Sequence, residues 1–370
     1  MVVYETRPIP GGKARSMPVP GSGKRGRRDL PAEHGFRFFP GFYRHLPETM
    51  KRIPFRGESD GVFSNLVETS KVQLALEGRA EIVTPAHFPG SVDELDLAFG
   101  SLLAQATTLG ISPLDQAHFM NTLLLLLTSC EERRFAEYEH QSWWEFSGAK
   151  VRSPAYGKFL ADGLTRTLVA AKAREMSART GGAILLQLLF DLATPGHQVD
   201  RVLNGPTNDV WIDPWLEYLR SEDMGVDYRT EHQVQAIHTS DSTVTHVSIV
   251  AHGRRFDDTA DFYVAAVPVE VMRLLATDEL KQAEPRLAGL NCLRTRWMNG
   301  VMFYLDRDVP MVRGHSLYID SLWALTSISQ RQFWPGVDFE QMGDGRVEGI
   351  LSVDVSDWEA QGNNGKQAMY

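Results

Sequence analysis

Cysteine is almost missing from this chain: Cys130 and Cys292 are the two in 370 residues. That excludes a disulfide framework and any four-cysteine zinc or iron–sulfur site, and it suits a reducing, cytoplasmic setting. Basic charge is short as well. With a formal net charge of -9 and a pI near 5.7 the chain lacks the basic face that phosphate-backbone binding needs, so nucleic acid is excluded as the main partner. Long apolar runs are also lacking. The most apolar stretch, Ala117 to Cys130, contains Leu123 to Leu127 but is interrupted by His118, Asn121, Thr122 and Thr128, and it falls short of the ~20 apolar residues of a spanning helix. It reads as a buried helix; the alternative is a membrane-touching one that collects a lipophilic substrate from a bilayer. No charged n-region with an apolar h-region opens the chain. There is no Gly-x-Ser-x-Gly elbow and no His-x-x-x-His pair, and His34, His45, His118, His140 and His315 have no ligand spacing, which disfavours serine hydrolysis and metal chemistry.

What is present is enough apolar residue, 43% of the chain, for more than one core. Residues 1 to 60 are rich in glycine and proline around a short strand. From about Ser91 the texture turns to apolar helices, with start signals at Ser112-Pro113, Ser153-Pro154 and Asp213-Pro214. Further helical stretches run from Ala161 to Ser177 and from Ala183 to Leu192, ending at Thr194-Pro195-Gly196. Gly225 closes the last helix, and short strands follow at Val226 to Tyr228, Val234 to Ile237 and Val244 to Val250. Ala260 to Val267 is apolar on both sides, as a helix-covered parallel strand requires, and Pro268 leads into a helix from Val269. Trp297 to Leu305, His315 to Ser327 and Val347 to Val355 alternate as an antiparallel sheet does.

Three motifs stand out. Met1-Val-Val-Tyr-Glu5 with Gly11-Gly12-Lys13-Ala-Arg15 reads as a strand ending in an acid, then a glycine pair and two cations. Such an acid accepts hydrogen bonds from a ribose hydroxyl, and the glycines let backbone approach a pyrophosphate. Gly21-Ser-Gly23-Lys-Arg-Gly26 matches the dinucleotide fingerprint literally. Yet Pro18 and Pro20 precede it and Arg27-Arg-Asp-Leu-Pro31 follows with no helical periodicity, so it reads as a solvated loop. Glu33-His-Gly35-Phe36-Arg37-Phe38-Phe-Pro-Gly41-Phe-Tyr43 packs five aromatics and two glycines into eleven residues. It reads equally as core or as a flat-ring binding wall. Trp143-Trp144 and Asp354-Val-Ser-Asp357-Trp358 read as packing and capping residues.

Together, Glu5 to Arg15, Glu33 to Gly41 and Ala260 to Met272 resemble the FAD-dependent amine oxidase and phytoene desaturase superfamily. The nearest likeness is to plant-type phytoene and ζ-carotene desaturases and to hydroxysqualene dehydroxylase-like enzymes, with Lys13 where amine oxidases usually carry Arg. The resemblance implies FAD, held by Glu5, Gly11, Gly12, Lys13, Arg15, Gly35, Phe36, Arg37, Phe38 and backbone groups near Val234. Glu33 or Arg37 would be the acid or base if there is one.

The implied fold is α/β (α+β). An incomplete Rossmann-like FAD domain would comprise 1–60 and 225–275, a helical substrate domain 61–224, and an antiparallel-sheet substrate domain 276–370. The implied activity is desaturation or dehydrogenation of a long apolar polyprenoid, with a lipophilic small molecule as partner, no metal, and peripheral membrane contact as an option. Family members carry a Gly-x-Gly-x-x-Gly unit before the position of Glu5 and a last segment reaching the flavin, and the expectation is that this chain lacks both. A catalytically silent fragment and a flavin amine oxidase are the rival readings.

Overall fold

The computed structural model describes residues 1–86, 106, 108–168, 170–194, 199–296 and 298–368. The helical texture expected from Ser91, the stop at Pro195-Gly196 and Trp297 lie outside these. In chain order come β1 (Val2–Tyr4), β2 (Ser16–Pro18), β3 (Pro31–Glu33), β4 (Phe39–Pro40), α1 (His45–Arg52), β5 (Leu66–Glu68), β6 (Lys71–Ala75) and β7 (Ile82–Pro85). Next are α2 (Pro113–Thr128), α3 (Ala178–Ala193), β8 (Asp200–Leu203), α4 (Asp213–Arg220), β9 (Asp227–Arg229), β10 (His232–Ser240), β11 (Thr243–Ala251) and β12 (Arg254–Asp258). Then follow α5 (Val269–Leu275), β13 (Asn299–Leu305), β14 (Gly314–Tyr318), β15 (Leu325–Ser329) and β16 (Gly349–Val355), with short helices between.

Two compact units emerge, one of Met1–Arg15 with Ile212–Arg296 and one of Ser16–Trp211 with Trp297–Tyr370. The first is discontinuous, but residues 16 to 60 fall in the second, and the late boundary lies at Arg296 rather than 275. In the first unit β1 pairs parallel with β9 (Val2↔Asp227, Tyr4↔Arg229), a pairing that needs a long crossover between the strands. Strands β10, β11 and β12 form an antiparallel meander around the buried Ile249. The Tyr4 hydroxyl donates to Asp258 at 2.5 Å, and burial with that carboxylate pushes it up to about 12.

In the second unit a six-stranded sheet has the order β13-β16-β15-β14-β6-β7. Its late strands are antiparallel, but β6 joins β14 in parallel, so the block 61–224 is not helical throughout. Strands β5 to β8, all within that block, are short and bounded by loops, which hid them among the helices. A core of Leu30, Val202, Ile328, Phe333, Trp334, Phe339, Met342 and Ile350 lies under the sheet. Helices α2 and α3 share another core, built on Leu126, Tyr138, Trp143 and Leu186.

Local signals held where a cap decides the start. Ser112 caps α2 by accepting from Asp115 N–H, with Pro113 in the first turn. Three expectations fail. Helix from Ala161 stops at Leu168. Ala260 to Val267 forms no strand, because no described strand ladders with it on either side, and Phe262 and Val264 stand fully in solvent. The leucine run is not a buried helix: α2 buries Asp115, Thr122 and Leu126 and turns most of its leucines outward.

Candidate functional site

In the first unit the chain beyond β1 is tied down by backbone. Glu5 N–H donates to Arg229 and its carbonyl accepts from His232, fixing the strand end between β9 and β10. The Glu5 carboxylate accepts Arg7 N–H at 2.9 Å. The following turn is closed by Ala14 N–H donating to Gly11 at 2.8 Å. Gly11 (φ +102) and Gly12 (φ +58) have left-handed backbone. A Cβ on Gly11 would stand 2.9 Å from the Ala14 carbonyl, whereas Gly12 faces open space. Both φ values favour glycine, and the result is a backbone turn with one side open. Lys13, exposed, lies 3.6 Å from Glu270 of α5, a surface pair that constrains it weakly. Arg15 is buried; desolvation first, and then Arg7, lower its guanidinium, while Glu5 raises it.

An open glycine turn with two cations and an acid at a strand end has the donor chemistry for a dinucleotide diphosphate and its ribose. Val234 sits in β10, paired with Ile249, beside a bulge between Val234 and Ala236 that breaks the ladder locally. Gly21 to Gly26 is a loop: the Asp29 carboxylate accepts N–H from Gly21 and Gly23, occupying the amides a phosphate would need.

In the second unit Gly35, Phe36, Arg37 and Phe38 connect β3 to β4. Gly35 (φ +151) is pressed against the sheet, since a Cβ there would meet Asp354 Oδ1 of β16 at 2.6 Å. Glu33 is buried and accepts from Thr207 twice, from N–H and from hydroxyl, each at 2.8 Å. Arg37 Nη2 lies 3.6 Å from Glu33 Oε2. Desolvation pushes Glu33 up to about 7 against the pull of Arg37 and Thr207. Asp354 is likewise pushed up to about 7 by burial, against Arg37, His315 and the Phe36 amide.

Next to them His315 Nε2 lies 2.5 Å from Asp200 Oδ2, and the rings of Phe36 and Phe38 sit 4.9 and 5.6 Å from the imidazole. Phe38 meets it edge-on. This geometry makes Glu33 and Arg37 anchors that fix the aromatic loop against the sheet. Asp200, Thr207, His315 and Asp354 were missed as site residues. Asp354 left one signal, a carboxylate inside the otherwise uncharged strand Gly349 to Val355, where capping was expected.

Among the described residues no His, Cys, Asp and Glu cluster could hold a metal. No described helix is long and apolar enough to cross a membrane.

Residues 1–291 match the model of the flavin containing amine oxidoreductase family. No curated protein matches significantly. Among solved structures, the chain is similar to an oxidoreductase from Methanosarcina mazei, at 15% identity over 96% of this chain and 73% of that one, with a TM-score of 0.61. Cyclohexylamine oxidase from Brevibacterium oxydans has 13% identity over 95% and 69%, with a TM-score of 0.59. Putrescine oxidase bound to putrescine has 12% identity over 96% and 70%, with a TM-score of 0.55. At such identities the likeness of structure establishes the α/β fold, and the match over residues 1–291 establishes the family: the chain belongs to the flavin containing amine oxidoreductases and is an FAD-dependent oxidoreductase.

Proposed function

We propose that this oxidoreductase removes hydrogen from a C–C unit of a long apolar polyprenoid, such as a carotenoid or squalene precursor. The observation that carries the reading is a cleft of about 710 Å³ between the segment Gly41 to Leu46 and α3, in which Phe42, Tyr43, Leu46 and Phe190 stand beside Arg44, His45, Gln187, Asp191 and Thr194. Its size falls within the ~300–1,000 Å³ common for small-molecule sites. It opens directly after the aromatic loop. A hydrocarbon offers nothing to hydrogen-bond, so recognition rests on shape and removal of water, which aromatic walls supply.

FAD, when bound, supplies the two-electron acceptor for the hydrogen removed. Glu5 and the turn Gly11 to Arg15 would hold its adenosine and diphosphate. Glu33 and Arg37, locked by Thr207 and the sheet, keep the aromatic loop in place. Because the two buried carboxylates packed against that loop, Glu33 of β3 and Asp354 of β16, both face Arg37, neither offers an uncompensated charge to a cationic substrate.

Amine oxidation is the second reading, favoured by one feature: Asp191, buried on α3, also lines the cleft, and a carboxylate there suits an ammonium. The FAD-loaded full chain, mixed without oxygen with a detergent-dispersed polyprenoid, should lose flavin absorbance at a rate unchanged by Asp191→Asn. Bleaching by aliphatic amines instead, lost in Asp191→Asn, would establish the amine reading.

A further inference from the structure

The cleft beside the aromatic loop is not lined as an unbroken hydrocarbon would require. Phe42, Tyr43, Leu46 and Phe190 supply apolar wall, but Arg44 and His45 lie in the same short segment, and both are exposed. A hydrocarbon laid over them would strip these groups of water and return no hydrogen bond. Arg44 is also uncompensated. It directly precedes α1, where its side chain makes no capping hydrogen bond, and among the described residues it has no ion pair. Glu48, the acid in the first turn of α1, is taken by Lys51 at 3.0 Å.

We propose that this cleft binds a polyprenoid acid, with the carboxylate on Arg44 and the chain along the aromatic wall. The guanidinium fork matches the two oxygens of a carboxylate. Because Arg44 and His45 are exposed, the charged end keeps part of its hydration while the tail loses its own, so no charge has to be buried. The proposal rests on the polyprenoid reading of the cleft and narrows that substrate to a chain with one acidic end.

Charge balance selects the carboxylate over a diphosphate, the other acidic end group of isoprenoid chains. A diphosphate carries several negative charges, whereas the lining offers one permanent cation and one histidine, and its buried Asp191 repels further anions. A cationic end is disfavoured by the same count, since Arg44 repels it and Asp191 already has a partner within the fold.

Equilibrium dialysis of the full chain against radiolabelled farnesoate, farnesol, farnesylamine and palmitate measures binding without turnover. Farnesoate should bind at least tenfold more tightly than farnesol, the span of one charge-assisted pair. Arg44→Gln should bring farnesoate down to the level of farnesol, leave farnesol unchanged and melt with the wild type. Arg44→Lys, which keeps the charge and loses the fork, should recover part of the difference. Farnesol held as tightly as farnesoate, farnesylamine held most tightly, farnesoate binding untouched by Arg44→Gln, or retention of none of the four overturns the proposal. Palmitate retained through Arg44, with no farnesyl compound retained, keeps the carboxylate site and overturns the polyprenoid reading alone, so the two failures separate.

Discussion

Replacing Glu33 by Gln sets two physical effects against each other. The carboxylate faces Arg37 at 3.6 Å, with side-chain exposures of 2% for Glu33 and 17% for Arg37. Deleting one partner of a buried ion pair ordinarily costs about 3–5 kcal/mol, because the other charge is stranded. Here burial outweighs the pair. The Glu33 carboxyl is raised from 4.5 to about 7 although Arg37 and both Thr207 bonds pull it down. Each tenfold in proton affinity is about 1.4 kcal/mol, so ionised Glu33 costs the fold roughly 3 kcal/mol relative to neutral Glu33.

The sign follows from the direction of the shift. A raised folded value means the stabilising contribution is complete below pH 4.5 and is lost as pH rises through 7. Glutamine stays neutral throughout, accepts the Thr207 N–H through its one carbonyl oxygen while its NH2 can donate to the Thr207 hydroxyl oxygen, and leaves Asp354 as a counter-charge for Arg37. Glu33→Gln should therefore match the wild type near pH 4.5 and exceed it by about 3 kcal/mol at pH 8. Urea unfolding at a series of pH values, followed by tryptophan fluorescence from the buried Trp334 and Trp143, reads this directly. Parallel pH profiles, or a variant several kcal/mol less stable at pH 8, would refute the argument that burial dominates the Arg37 attraction.

Other substitutions separate neighbours whose environments differ. Leu126→Ala should cost about 2–5 kcal/mol and Leu127→Ala under about 0.5 kcal/mol, since the first is 2% exposed and the second 48%; equal melting shifts would overturn the described orientation of α2. Gly35→Ala should destabilise by about 2 kcal/mol, because φ is +151 and the methyl would meet Asp354 at 2.6 Å; a melt unchanged in this variant contradicts that fit. The same substitution at Gly12 strains only backbone, with nothing within 4 Å, so lost FAD retention there without a comparable loss of stability would mark a ligand-facing turn, and full retention would remove it from the site. Phe262→Ser with Val264→Ser should lower dye binding and aggregation without lowering the melting temperature, as both side chains are 89% exposed; a destabilised variant would show they are packed.

What the sequence made legible was local. Ser112-Pro113 fixes the start of α2 because capping is decided within one turn. Gly11 and Gly12 announce a left-handed turn because few other residues adopt one. The buried cluster was not legible, since its partners come from distant strands: Glu33 meets Thr207 across 174 residues, and Asp200 meets His315 only once β8 and β14 are in place. Its members are an ordinary threonine, histidine and two aspartates until the fold buries them.

Apolar pattern, by contrast, states a demand for burial without naming what meets it. Ala260 to Val267 has the composition of a central strand, yet a strand exists only through its ladder, and no described strand supplies one. The leucine run of α2 makes the same point more sharply. Five consecutive leucines go all the way round a helix, so the run could not say which side faces in. The polar residues decided it: Asp115, Thr122 and His118 find partners in Ser153, the helix backbone and Ser147. Satisfying them turned Leu124, Leu125 and Leu127 outward. The outward leucines are thus the consequence of satisfied polar groups, beside which Phe119, Leu123 and Leu126 still pack into the core.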